Sequence, residues 1–151
     1  MMDITFDYYV EDDFSELKCM IFGLDDEDPS KLPISEDNII RTTNESISNP
    51  ERIQIFIMRT SAVSIGYGII TFSWSNEYGG EIIHIDEMYI KEEYRNMCIG
   101  SHFIRHILEL YKNAVLCTLE VTPENKNALR FYERLGFNLS ANMHMLKIIN
   151  R

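Results

Sequence analysis

Residues 81–101, EIIHIDEMYIKEEYRNMCIGS, hold the pattern that decides the fold. The first ten are apolar on both alternating faces, with Ile82, Met88 and Ile90 against Ile83, Ile85 and Tyr89. A strand of that kind belongs in the middle of a sheet, covered on both sides. Asp86 and Glu87 interrupt it, and a buried polar group without a partner costs about 2–7 kcal/mol, so the two carboxylates call for an explanation. Strand alternation sends them to opposite faces unless a β-bulge intervenes. Tyr94 to Ser101 then turn the chain into a helix whose first backbone N–H groups lack partners, a ready anion site. Gly100 lets a phosphate approach the backbone, and Ser101 can add a hydroxyl.

Downstream, Ile99, Phe103, Ile107 and Leu110 line one side of a helix running to about Lys112, with His102, Arg105, His106 and Glu109 opposite. Val115 to Val121 is a short strand. Strand, helix and strand in that order predict a crossover with the two strands parallel. Thr122-Pro123 offers an N-cap and a first-turn proline, Ala128, Phe131, Tyr132 and Leu135 form an apolar face, and Gly136 suits the stop. Phe137 to Ile149 reads as one or two closing strands.

Upstream, Ile4 to Val10 alternates as a first strand, and Asp13 to Leu24 is an amphipathic helix ended by Asp25-Asp26-Glu27-Asp28-Pro29. Ser35 caps a second helix to about Ser46. Arg52–Arg59 and Ala62–Trp74 form a hairpin, and the turn-rich segment 75–80 leads into the Glu81 strand to complete an antiparallel meander. Gly66 and Gly68 inside the second hairpin strand mark a bulge in preference to a close approach by another group.

At 151 residues, 45% hydrophobic and 25% charged, the chain reads as one soluble domain, 1–151. No run is long enough to span a membrane, and the acidic, alternating N-terminus resembles no signal peptide, which points to the cytoplasm. Cys19, Cys98 and Cys117 are widely spaced, arguing against a disulfide framework or a zinc knuckle. His102 and His106 lack an H-E-x-x-H pattern, so no metal is expected. A net charge of −10 disfavours nucleic acid, and it either favours a cationic partner or simply aids solubility. Neither a P-loop nor a Rossmann glycine pattern is present.

Two stretches resemble the GCN5-related N-acetyltransferases. Arg95-Asn96-Met97-Cys98-Ile99-Gly100 is similar to their pyrophosphate loop, Q/R-x-x-G-x-G/A, departing from it at Cys98, where a side chain replaces the first glycine. Asn125, Ala128, Phe131, Tyr132, Gly136 and Phe137 match N-x-x-A-x-x-F/L-Y-x-x-x-G-F without a break. The resemblance is specific from about Glu81 to Phe137 and topological before it. It implies a mixed α/β fold, with a central sheet antiparallel in its N-terminal half, splayed between the fourth and fifth strands and flanked by helices.

It also implies acetyl-CoA as cosubstrate, bound through Met88, Tyr89 and Ile90 of the fourth strand, the loop from Arg95 through Asn96, Met97, Cys98, Ile99 and Gly100 to Ser101, and Asn125 and Tyr132. An N–H near Met88 would stabilise the oxyanion. An amine of ordinary pKa near 10.4 must lose a proton before it attacks a thioester, so a base or a water relay is needed. Glu87 is the first candidate and Asp86 the second; either could instead pair with an arginine such as Arg130. Tyr132 would protonate the leaving thiolate, although its spacing also suits a core aromatic. Asn125 would bind the coenzyme's arm or cap its helix. The expected acceptor is a small cationic amine of polyamine or aminoglycoside type. A protein lysine or N-terminal amine is the alternative within the enzyme class, and a catalytically silent acyl-CoA-binding module the rival outside it. Homodimers are frequent in the family, which adds a second copy to the candidate partners while the sequence leaves the oligomeric state open.

Overall fold

The computed structural model describes residues 2–28 and 32–150. Its chain divides into two compact units, one ending at Glu120 and one beginning at Val121. The first carries β1 (Ile4–Tyr8), α1 (Phe14–Glu27), α2 (Glu36–Ser48), β2 (Ile53–Thr60), β3 (Val63–Ser75), β4 (Gly80–Ile90), α3 (Ile99–Leu110) and β5 (Leu116–Leu119). The strands form one sheet in the order β1-β2-β3-β4-β5, antiparallel until β5 joins β4 in parallel. The mixed α/β architecture with an antiparallel first half is therefore present.

Each face of the sheet has its own helices. Leu17, Met20 and Ile21 of α1 and Ile39 of α2 pack with Ile55, Ile57, Tyr67 and Ile69, all at most 3% exposed. On the other face Phe103 of α3 meets Phe6 and Phe56 edge-on. A Cβ at Gly68 would lie 2.3 Å from the Phe103 ring, and one at Gly66 2.5 Å from the Tyr89 carbonyl oxygen. The glycines therefore admit neighbours, contrary to the bulge expected of them. The β2–β3 register does slip nearby, but its extra residue is Ile65.

Other boundaries differ for local reasons. Helix α1 continues through Asp25, Asp26 and Glu27, although carboxylates in a last turn oppose the helix dipole. Glu27 is offset by Arg95, whose Nη2 lies 2.6 Å from its Oε1, and Asp25 Oδ2 accepts the Ile34 N–H. Pro29, expected to end this helix, lies outside the described residues. Ser35 caps α2 by accepting the Asn38 N–H at 3.2 Å. His106, assigned to the polar side of α3, stacks 5.1 Å from the Phe6 ring.

The second unit holds α4 (Lys126–Arg134). Its N-cap is Asn125, whose Oδ1 accepts the Ala128 N–H at 3.1 Å, while the expected cap, Thr122, lies in a preceding turn. Gly136, at φ +91°, ends the helix as expected: its N–H reaches Glu133 O while the Phe137 N–H reaches Tyr132 O. The closing strands expected over 137–149 are not formed. Apolar residues become a strand only when a neighbouring edge takes up their backbone groups. Here Leu139, Met143, Met145 and Leu146 stay exposed.

Candidate active site

The site begins with one extra residue. Glu87 faces Ile69 of β3 and Ile85 faces Ile70, so Asp86 has no partner and bulges from β4. A bulge reverses the alternation beyond it. Glu87 thereby shares a side of the sheet with His84, whose partner Thr71 lies two residues along β3 from Ile69. Asp86 Oδ1 stands 4.0 Å from His84 Nε2 on that side. The sequence left the two carboxylates on opposite faces or, with a bulge, together; the bulge brings them together.

The same place is where the sheet splays. β5 pairs with β4 only from Ile82 to Ile85, and β4 runs on to Ile90 without it. Successive residues of a strand direct their backbone groups to opposite edges. Since the Lys91 N–H bonds Ile65 O on β3, Met88 and Ile90 turn theirs to the edge that β5 has left. Ile90 O there accepts Arg95 Nε at 2.8 Å. These donors fit the amide-bearing arm of a coenzyme, as the sequence suggested for Met88 and Ile90; the N–H of Tyr89 points back toward β3.

The carboxylate side chains differ in their surroundings. Tyr67, buried on β3, donates its phenolic hydrogen to Glu87 Oε2 at 2.7 Å. Burial above all, and then the charge of Glu87, raises the Tyr67 pKa well above 10, so the phenol remains a donor. Asp86 is exposed, and His84 is tied through Nδ1 to Thr118 Oγ1 of β5 at 2.8 Å. Nothing in the sequence marked Tyr67 or Thr118. They meet their partners only through strand register, and the bulge sets that register for Glu87.

Beyond β4 the loop turns sharply, with Asn96 and Cys98 both at positive φ, +62° and +61°. Cys98 therefore occupies a left-handed conformation that glycine adopts freely, at a cost of roughly 1–2 kcal/mol. The first helical bond of α3 runs from the His102 N–H to Cys98 O, which leaves the N–H groups of Ile99, Gly100 and Ser101 without intrahelical acceptors. Such donors fit a pyrophosphate. Ser101 Oγ donates to Cys98 O at 2.8 Å. The Arg95 guanidinium is occupied by Glu27, while Met97 is exposed.

In the second unit Tyr132 packs edge-on between Phe131 and Phe137, at ring distances of 5.0 and 5.7 Å. No residue of α4 is buried, so the ring is partly covered by these aromatic neighbours and is not the core aromatic that its spacing also suited. Among the described residues no cluster of three or more His, Cys, Asp or Glu side chains could hold a metal, and no helix is long and apolar enough to cross a membrane.

Known proteins place these features in a family. The family model for the GNAT acetyltransferases matches residues 12–137. Thialysine N-epsilon-acetyltransferase of Bos taurus is 38% identical over 74 residues, which is 48% of this chain and 43% of that protein. The matching enzyme of Sus scrofa is 36% identical over the same shares. The match thus spans less than half the length of these relatives. Among solved structures, a possible acetyltransferase from Clostridium difficile 630 superposes with a TM-score of 0.84 at 21% identity, covering 99% of this chain and all of that one. The structure of AAC(6')-Iy with the bisubstrate analogue CoA-S-monomethyl-acetylneamine superposes at 0.80 with 12% identity, over 98% of this chain and 99% of that one.

Proposed function

Because the chain belongs to the GNAT acetyltransferase family, we propose that it moves the acetyl group of acetyl-CoA to a primary amine of a small cationic acceptor, of polyamine or aminoglycoside type. The observation that carries this reading is the bulge at Asp86. It sets two carboxylates on one side of β4 at the point where β5 departs and backbone donors become free.

Within this reading Glu87, directly or through a water, takes the proton of the ammonium group, with Asp86 as second candidate. The freed nitrogen forms a bond to the thioester carbon, and the Met88 N–H donates to the carbonyl oxygen as charge builds there. The carbon–sulfur bond breaks as Tyr132, assigned on its motif, gives its proton to the thiolate, and the extra proton still on the nitrogen passes to the Tyr132 phenolate, directly or through water, leaving a neutral amide. The N–H groups of Ile99, Gly100 and Ser101 receive the pyrophosphate, with Asn125 assigned to the coenzyme's arm on its motif. Residues 1–151 are read as one acetyltransferase-like domain, and the family match over 12–137 supports this.

A cationic acceptor is supported by the net charge of −10 and by the acidic last turn of α1. The thialysine relatives make lysine-like amines a natural first choice, and AAC(6')-Iy adds aminoglycosides. Calorimetric titration with acetyl-CoA, followed by thiol release with thialysine, lysine, spermidine, an aminoglycoside and a lysine-containing peptide, tests the proposal. Turnover with the small amines is expected. Turnover with the peptide alone would move the acceptor to protein, and binding without turnover would leave a silent acyl-CoA-binding module.

A further inference from the structure

We infer that Tyr67 is a positioning residue that orients Glu87 for proton transfer, a role resting on Glu87 being the base of the proposed reaction. The Tyr67 ring lies in the apolar layer beneath α1 and α2, among Leu17, Met20, Ile21, Ile39, Ile55 and Ile57. Phenylalanine would fill that layer equally well, so packing gives no reason for a hydroxyl. The hydroxyl is used on Glu87 Oε2, at 2.7 Å. Fixing one carboxylate oxygen with a rigid buried donor sets the plane of the group and the direction of its second oxygen.

The contact depends on the bulge. In an unbroken strand Glu87 would follow Ile83 and Ile85 onto the opposite face, away from Tyr67. The extra residue turns it onto the face that Tyr67 already occupies. Among the described residues the ionisable groups on this side include Asp86, His84 and Tyr89, the last with its ring centre 6.1 Å from that of Tyr67, and Tyr9, which packs on the same layer and bonds Thr43 of α2. Leu17, Met20, Ile21 and Ile39 are the apolar residues that α1 and α2 set against Tyr67. A phenol there donates without competing for the proton, since burial and the Glu87 charge keep it un-ionised at neutral pH.

The test uses the intact chain with acetyl-CoA and thialysine as probes, comparing wild type, Tyr67→Phe, Glu87→Gln and the double variant. Glu87→Gln should lower kcat about a hundredfold and Tyr67→Phe about tenfold, with the KM for acetyl-CoA unchanged in both. In the double variant the Tyr67 effect should vanish, because it acts only through the carboxylate. A tenfold loss persisting in the Glu87→Gln background would mean a purely structural role and overturn the inference. A second readout needs no turnover: in protein with 13C-labelled Glu side chains, Tyr67→Phe should move the Glu87 carboxyl titration midpoint to higher pH, and 3-fluorotyrosine at position 67 to lower pH. Midpoints that stay put in both would overturn the positioning role. A moved midpoint with unchanged kcat in Glu87→Gln would instead overturn Glu87 as base.

Discussion

The two halves of β4 read as one continuous strand in sequence and have different surroundings in the fold. From Gly80 to Ile85 the strand lies beside β3, gains β5 from Ile82 on, and buries Ile83 and Ile85 at 1% and 4% exposure. From Asp86 to Ile90 it keeps β3 and has lost β5; Asp86 is exposed and the other four residues are half-buried. A single extra residue separates a half paired on both edges from one whose outer edge leaves backbone donors uncovered beside two carboxylates, the half to which the proposed reaction is assigned. Stability and chemistry can therefore be perturbed separately within one strand.

The largest expected effect is on the open half. If Glu87 is the base of the proposed reaction, Glu87→Gln should lower kcat about a hundredfold, at the lower end of the usual worth of a general base, with acetyl-CoA affinity in calorimetry unchanged. A matching substitution in the paired half, Ile83→Ala, should cost about 2–5 kcal/mol in urea denaturation and leave the rate per folded molecule alone. If that variant lost activity while folded, the division of labour would fail. Smaller still is Cys98→Gly in the loop beyond the open half, which should relieve roughly 1 kcal/mol of backbone strain, seen as a raised Tm, and tighten coenzyme binding. Weaker binding would show the cysteine to be an adaptation.

The smallest effect concerns Cys117, which faces Ile83 across the paired half. Burial pushes its thiol from the ordinary 9.0 up to about 11. A raised pKa means that the unfolded chain ionises first, so this contribution is intact below pH 9 and is lost as pH rises toward 11. Cys117→Ala should flatten the fall in stability across that window in denaturation curves.

Much of the sheet was legible because its signals are local. The apolar run of β4 and the periodicity of α3 depend only on near neighbours, and Gly136 ends α4 as its position implies. The bulge was not legible, since IDEMYI suits an unbroken strand as well as a bulged one, and only the register with Ile69 and Ile70 decides between them. Tyr67 was invisible for the same reason, being twenty residues from Glu87. Thr122-Pro123 resembled a helix start, yet Asn125 made the capping bond, because a cap depends on where the backbone turns. Helix α1 ran past its acidic stop because Arg95, far away in sequence, neutralises part of it.

Residue-resolved amide exchange with and without acetyl-CoA tests the contrast within β4 most directly. The Ile83 and Ile85 N–H groups, on the edge paired with β5, should be protected in both states. The Met88 and Ile90 N–H groups should exchange fast in the free protein, and that of Met88 should slow markedly with coenzyme bound. Protection of Met88 in the free protein, or exchange there that saturating acetyl-CoA leaves unchanged, would contradict the account.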